Sequence, residues 1–467
     1  MKIEKNKPKR VSRKLKNIFV ISIDALRADH VGCLGYNKRI TPNIDKLSKE
    51  GILFKKAIAP GSYTFLSFPS FMTSLYPSEY YICQGRVETI ASILKKYGYK
   101  TVSFNSNPYA AGRLDKGFDY FDDLMEYTEF NKPLEKLKRQ IVKKLGRQSS
   151  LINLSRKIFT MLSAGIARPY AEGEKMNKAA FEFLEKNEEY PLFFWIHYMD
   201  THYPFIPSPD FTNFSKREIN RYNRIYSMLA HPSKKGKKDI AEKEIKRVID
   251  LYDSQIKYVD TCIGEFLKKL KKLGLYDDSL IILLSDHGEL FGEHGEFGHL
   301  EYNVYYEQLH VPLILKGLDC ESRIVNYPVT LKDLPQTILH SLGIDHFHIK
   351  GRILINKQHD FIISEGFDPK EVFFGSKLDL NKINYSCIFN NWQFIYNSLE
   401  NKKELYNLKD GVGNNNFLRN NKKEEVKNLL YMIVENHKRK ISKIQEIKLS
   451  VKKLVMGRDS DKNLLCW

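Results

Sequence analysis

Apolar positions along the chain come in two spacings. Short unbroken runs, Asn17 to Ile23, Leu280-Ile281-Ile282-Leu283-Leu284 and Val311 to Leu315, are closed by turn residues. Runs of this kind predict strands buried on both faces of a parallel or mixed sheet. Helical spacing takes over between them. Ile256, Val259, Ile263, Phe266, Leu267 and Leu270 predict a helix over 253–272, stopped at Gly274. Thr41-Pro42 opens another that Gly51 closes, 88–97 forms a third before Gly98, and 330–342 a fourth before Gly343. Beyond about residue 350 the pattern shifts to short strands (361–364, 385–389, 392–396) and a helix near 424–437. The class is therefore α/β: a large mixed, mostly parallel sheet flanked by helices, with a smaller C-terminal α+β subdomain of short antiparallel strands and a helix. The expected divisions are a basic extension 1–16, a large domain 17–350, a subdomain 351–440 and a basic tail 441–467. Two Lys-rich helical insertions, 126–170 and 207–245, interrupt the large domain. The first reads as a lid packed over a site mouth, or as an interfacial helix on an anionic membrane.

Composition narrows the class. The chain has 467 residues, 42% hydrophobic and 28% charged, as a globular protein with one large domain and an appendage would. No apolar run reaches the ~18 residues of a membrane-spanning helix. The basic N-terminus lacks a small-residue cleavage site, so the expected location is cytoplasmic or peripheral to a membrane. Six cysteines without a CxxC pair predict free thiols, not a disulfide framework or a zinc cage. The net charge of +19 suits an anionic substrate or an anionic surface. No stacking aromatic motif is interleaved with it, so specific nucleic-acid binding is not expected.

Candidate chemistry sits at strand ends. Ser285-Asp286-His287-Gly288-Glu289 follows the 280–284 run, where ligands of open α/β sheets bind. A carboxylate beside an imidazole suits a divalent metal, and Gly288 would let the backbone turn sharply. His294 and His299 follow among four glycines. Asp24 closes the first strand, and taken alone it reads as a turn residue or cap. Residues 59–77 are rich in hydroxyls. A hydroxyl at their loop-to-helix junction would lie near the positive end of the helix, or else Ser62, Thr64 or Ser67 caps it. Asn105 and Asn107 could offer amide hydrogens to an anion, or form a plain turn.

Several segments stand in a familiar order. They are Asp24 after a strand, the segment 64–77 ending Thr73-Ser74-Leu75-Tyr76-Pro77, and Trp195-Ile196-His197-Tyr198-Met199-Asp200-Thr201-His202-Tyr203-Pro204. Then come Tyr252-Asp253 on a helix, Ser285-Asp286-His287-Gly288-Glu289 through His299, and Glu404-Leu405-Tyr406-Asn407-Leu408. Together they resemble the sulfatase family of the alkaline phosphatase superfamily. The resemblance implies that Asp24, Asp286 and His287 bind one divalent metal, with Thr64 as the fourth ligand and nucleophile. It also implies a covalent intermediate on a sulfate or phosphate ester. The chain departs from the family pattern at Leu66, which replaces Pro, and at Phe68, which replaces Arg. Position 64 is Thr, which cannot yield formylglycine, so direct metal activation of the hydroxyl is implied. Relatives with Thr here resemble phosphoethanolamine and glycerophosphate transferases, so transfer to an acceptor alcohol on a lipid or glycan is the alternative. A non-catalytic anion-binding relative is a second alternative. His287 favours manganese or zinc, with calcium, usual for formylglycine members, still open. His202 is the expected proton donor or anion contact. His299 stands where the family places a Lys or His against the substrate or a second metal. Asn107 would contact the substrate, and Arg27, close to Asp24 in sequence, would orient it.

Overall fold

The structure is a computed structural model that describes residues 16–83, 87–107, 110, 114–124, 169–230, 240–346, 348–356, 359–369, 377–408 and 421–456. Its centre is an eight-stranded sheet. Across it the order is Arg323–Val325, Ile52–Phe54, Leu313–Lys316, Ser279–Ser285, Asn17–Ile23, Leu192–Tyr198, Lys100–Asn105 and Tyr120–Asp122. Only Leu313–Lys316 runs against the others. The mixed, mostly parallel sheet is thus as expected.

Period-two alternation divides the central strands between two cores. Phe19, Ile21, Ile23, Ile281 and Leu283 face one side, where helices Pro42–Glu50, Gly173–Lys186 and Glu242–Lys272 supply Leu47, Met176 and Phe266. Ile18, Val20, Leu280, Ile282 and Leu284 face the other, where helix Thr64–Thr73 supplies Phe68 and Phe71. Burial on both faces explains why these strands read as continuous apolar runs. The long helix begins at Glu242, eleven residues before the expected start at 253, inside the stretch assigned to the second insertion. The rest of that stretch holds a helix, Lys216–Ala230, packed on the sheet side through Tyr222 and Tyr226. The first insertion lies outside the described residues except at 169–170. The run at 311–315 is broken at Pro312 into His310–Val311 and Leu313–Lys316, because proline cannot donate to a ladder.

The C-terminal part is a four-stranded antiparallel sheet, Ile362–Gly366, Asn384–Phe389, Trp392–Asn397 and Lys402–Asn407. One helix, Asn421–Met456, covers it. The boundary expected at 440 therefore falls inside a helix. Leu430, Val434 and Ile441 are fully buried at helical spacing, so the same apolar stripe crosses the supposed edge. The two parts are stitched together. The Ser364 hydroxyl donates to the Ala59 carbonyl at 2.7 Å and the Glu365 N–H to Pro60 at 3.0 Å. The buried Glu365 carboxylate accepts from Ser78 N–H (2.7 Å) and Ser78 Oγ (2.8 Å), and it meets His437 Nε2 at 2.7 Å.

Cys33, Cys262, Cys320 and Cys387 are free thiols. Cys83 is not, being disulfide-bonded. Spacing along the chain cannot reveal such a pairing, because it is decided by Cβ approach in the folded molecule.

Candidate active site

Strand register assembles the site. Ile23 pairs with both Ser285 and Tyr198, so the three strands end at one level. Asp24 and Asp286 each stand one residue beyond. His197 lies level with Ser22, on the parity of Phe193 and Trp195. All three side chains therefore belong to the face covered by helix Thr64–Thr73. Their ligand atoms come within 4.8 Å of one another, and all are fully buried. Thr64 opens the helix. Gly61 allows the approach, since a Cβ there would lie 2.2 Å from the Leu66 Cβ.

Thr64 Oγ1 donates to Asp24 Oδ2 at 3.2 Å and lies 3.2 Å from His287 Nε2. His287 Nε2 is 3.7 Å from both Asp24 Oδ1 and Asp286 Oδ2. Its Nδ1 donates to the Gly288 carbonyl at 2.8 Å, which leaves Nε2 bare. His197 Nε2 faces Asp24 Oδ2 at 3.3 Å. Ser22 Oγ holds that ring, 2.8 Å from Nδ1, and itself accepts the Trp195 indole N–H at 2.7 Å. Phe68, where the family pattern has Arg, packs edge-on against the His197 ring at 4.8 Å.

Asp24 Oδ1 and Asp286 Oδ2 are buried with no hydrogen-bond partner among the described residues. Two such oxygens beside two imidazoles and a hydroxyl are costly unless a cation joins them, so the donor set fits a divalent ion. The charge balance agrees. Burial and the neighbouring Asp24 charge push Asp286 up to about 7. Burial would raise Asp24 too, but the His197 hydrogen bond and the nearby histidines hold it below the ordinary carboxylate range. Burial and His299 depress His287 to about 4.

The rest of the site faces a cleft of about 510 Å³ whose walls include Tyr63, Phe65, Tyr170, Tyr203, His202 and His299. His299 Nδ1 meets Glu289 Oε2 at 2.9 Å. Against its burial, that carboxylate lifts the imidazole to about 9. His202 is directed by its Nδ1 contact to the Tyr203 carbonyl, and burial lowers its pKa. Its ring is 5.0 Å from that of His299. Asn107 lines the cleft and offers Nδ2 to Asp24 Oδ2 at 3.4 Å, while Asn105 serves the turn by accepting from Asn107 N–H.

Three expectations change. Arg27 does not orient Asp24. Its guanidinium pairs with Asp29 and Glu293, both at 2.7 Å, and donates to the Glu289 carbonyl at 3.0 Å, so it braces the loop that carries Glu289. The turn after Asp24 is held instead by Tyr252, whose hydroxyl donates to Ala25 O at 2.7 Å and accepts from Arg27 N–H. Gly288 is needed for closeness, because a Cβ there would lie 2.2 Å from the Glu307 carbonyl. His294 points elsewhere, stacked on Tyr305 at 3.9 Å and paired with Glu307. His197 and Glu289 were missed as site residues. Strand parity with Trp195 was the available signal for His197.

A hydroxyl at a helix start, facing cation-ready groups on parallel strand tips, suits a site for ester hydrolysis. The sulfatase family model matches residues 16–344, and the chain belongs to this family. It is 24% identical over 351 residues to the multifunctional alkaline phosphatase superfamily protein PehA of Trinickia caryophylli, covering 64% of this chain and 68% of that one. It is 24% identical to an ulvan-active sulfatase of Formosa agariphila, covering 69% of this chain and 61% of that one. The fold resembles the phosphonate monoester hydrolase of Agrobacterium radiobacter, with a TM-score of 0.61 at 19% identity, over 85% of this chain and 90% of that one.

Proposed function

We propose that the protein is a metal-dependent hydrolase that cleaves a sulfate or phosphate ester with Thr64 as nucleophile. The observation that carries this reading is the position of Thr64 Oγ1, 3.2 Å from both Asp24 and His287 and open to the cleft. Asp24, Asp286, His287, His197 and Thr64 would hold one divalent ion. Two imidazoles in that set favour zinc or manganese over calcium. When bound, the ion supplies charge that lowers the hydroxyl pKa and offsets the charge of the substrate oxygens.

The chain's own groups do the rest. Thr64 Oγ attacks phosphorus or sulfur and forms a Thr ester while the bond to the leaving oxygen breaks. With its pKa lowered by the bound charge, the hydroxyl would release its proton to solvent before attack, while Asp24, held ionised, keeps Thr64 Oγ1 in place. His299, cationic near neutral pH and held through Nδ1 by Glu289, presents Nε2–H to the leaving oxygen. His202 and Asn107 contact the anion. Water activated by a neutral imidazole then releases the Thr ester. Tyr63, Phe65, Tyr170 and Tyr203 form an aromatic wall, and the cleft carries no Lys or Arg among its described lining residues. Such a wall suits an apolar or aromatic alcohol, a sugar face or a lipid headgroup. Because position 64 is Thr, release to an acceptor alcohol, as in a phosphoryl transferase, is the second reading.

The test is a panel of chromogenic phosphodiester, phosphomonoester and sulfate esters with added manganese or zinc, run on the parent and on Thr64→Ala. Turnover by the parent that vanishes in Thr64→Ala supports the assignment. Equal turnover by both refutes it. Hydrolysis of none, with transfer to an added alcohol, selects the second reading.

A further inference from the structure

Helix Asn421–Met456 has two unlike faces. Leu430, Val434, His437, Ile441 and Gln445 are buried on the C-terminal sheet side. On the opposite side, at spacings of three and four, stand Leu429, Met432, Asn436, Arg439, Lys443 and Ile447, all exposed. Four of the ten exposed large apolar side chains among the described residues lie on this helix: Leu429, Met432, Ile447 and Leu449. Charge is uneven along it. Between 438 and 450 the exposed cations are Arg439, Lys440 and Lys443, and the one exposed acid is Glu446. Lysines near a helix C-terminus complement its dipole, but that accounts only for the last turn. It does not account for apolar side chains placed among the cations on the face turned from the core. From Leu429 to Ile447 this face runs for roughly 27 Å at 1.5 Å per residue.

We propose that this outward face is a docking surface for an anionic lipid bilayer. The argument is charge complementarity joined to exposed apolar anchors. The cations meet lipid phosphates while Met432 and Ile447 enter the headgroup boundary. No helix among the described residues is long and apolar enough to cross a membrane, so the contact would be peripheral. It would hold the protein at the surface through a helix that contributes no residue to the described lining of the cleft.

The experiment is co-sedimentation of the full chain with vesicles of phosphatidylcholine alone or with phosphatidylglycerol, at low and high salt. The expected result is salt-sensitive binding to the anionic vesicles only. Arg439→Glu, Lys440→Glu and Lys443→Glu together should lower the affinity by about tenfold or more. Met432→Ser with Ile447→Ser should lower it at both salt concentrations. Both variants should melt as the parent does, which excludes loss of fold. Absence of parental binding overturns the proposal, as does undiminished binding by the charge-reversed variant. So does loss of a parental dimer in the apolar variant with no change in vesicle binding, which would assign the face to a second copy.

Discussion

The two walls of the site are built differently: one lies buried behind Thr64, the other lines the cleft. One wall, Asp24, His197, Asp286 and His287, sits on or just past three adjacent parallel strands and is fully buried. Each strand carrying these residues is laddered on both sides, and its side chains lock into two cores. The other wall takes Tyr63, His202, Tyr203 and His299 from connecting segments and Phe65 from the first turn of helix Thr64–Thr73, and it is partly open. The difference separates two tasks. Charge must be held within fractions of an ångström to act on a reacting centre, and strand tips in a laddered sheet provide that. The organic part of a substrate needs only a surface that can vary, and loops provide that.

Substitutions can break this division at either wall. The largest effect should come from Thr64→Ala, with kcat lower on the order of 10³-fold or more and little change in melting temperature, read by ester hydrolysis and calorimetry. Next is the metal wall. His197→Ala should weaken metal binding by about 10- to 100-fold, measured by titration into chelator-treated protein. In the same titration the parent should bind more tightly as pH rises through about 7, because Asp286 must lose its proton to the ion. A pH-independent affinity would contradict the pairing of Asp286 with Asp24. On the opposite wall, His299→Asn should cost about 10²-fold in kcat for substrates with poor leaving groups and less for activated ones. Parental activity should fall as pH rises through about 9, where His299 becomes neutral. The smallest effect is expected from Tyr203→Ala, with KM raised about tenfold, kcat nearly unchanged and metal content intact. If Tyr203→Ala instead released the metal, the two walls would not be separable.

Much of the sheet was legible because burial on both faces leaves unbroken apolar runs, as at 17–23 and 280–284. Asp286 and His287 could be singled out because strand ends are where α/β sheets bind ligands, whereas Asp24, which alone reads as a turn residue, needed the family resemblance. His197 stood in a segment quoted for the family resemblance but was given no role; its parity with Trp195 on strand Leu192–Tyr198 is what marks its direction. Arg27 misled because nearness in sequence is not nearness in space. The extended turn after Asp24 sends its guanidinium toward Asp29 and Glu293. The helix end was misplaced because a lysine-rich stretch looks like solvent-exposed tail until the register of Leu430, Val434 and Ile441 is followed through it.

The stitch between Ser364-Glu365 and Ala59-Pro60 has a practical meaning for dissecting the molecule. The segment leading to Thr64 is propped from behind by a strand that lies beyond residue 344, where the family match stops. A fragment trimmed to the recognised family region would keep every cation-facing group and lose the prop. A working fragment is therefore expected to need the C-terminal sheet as well as the region of the family match.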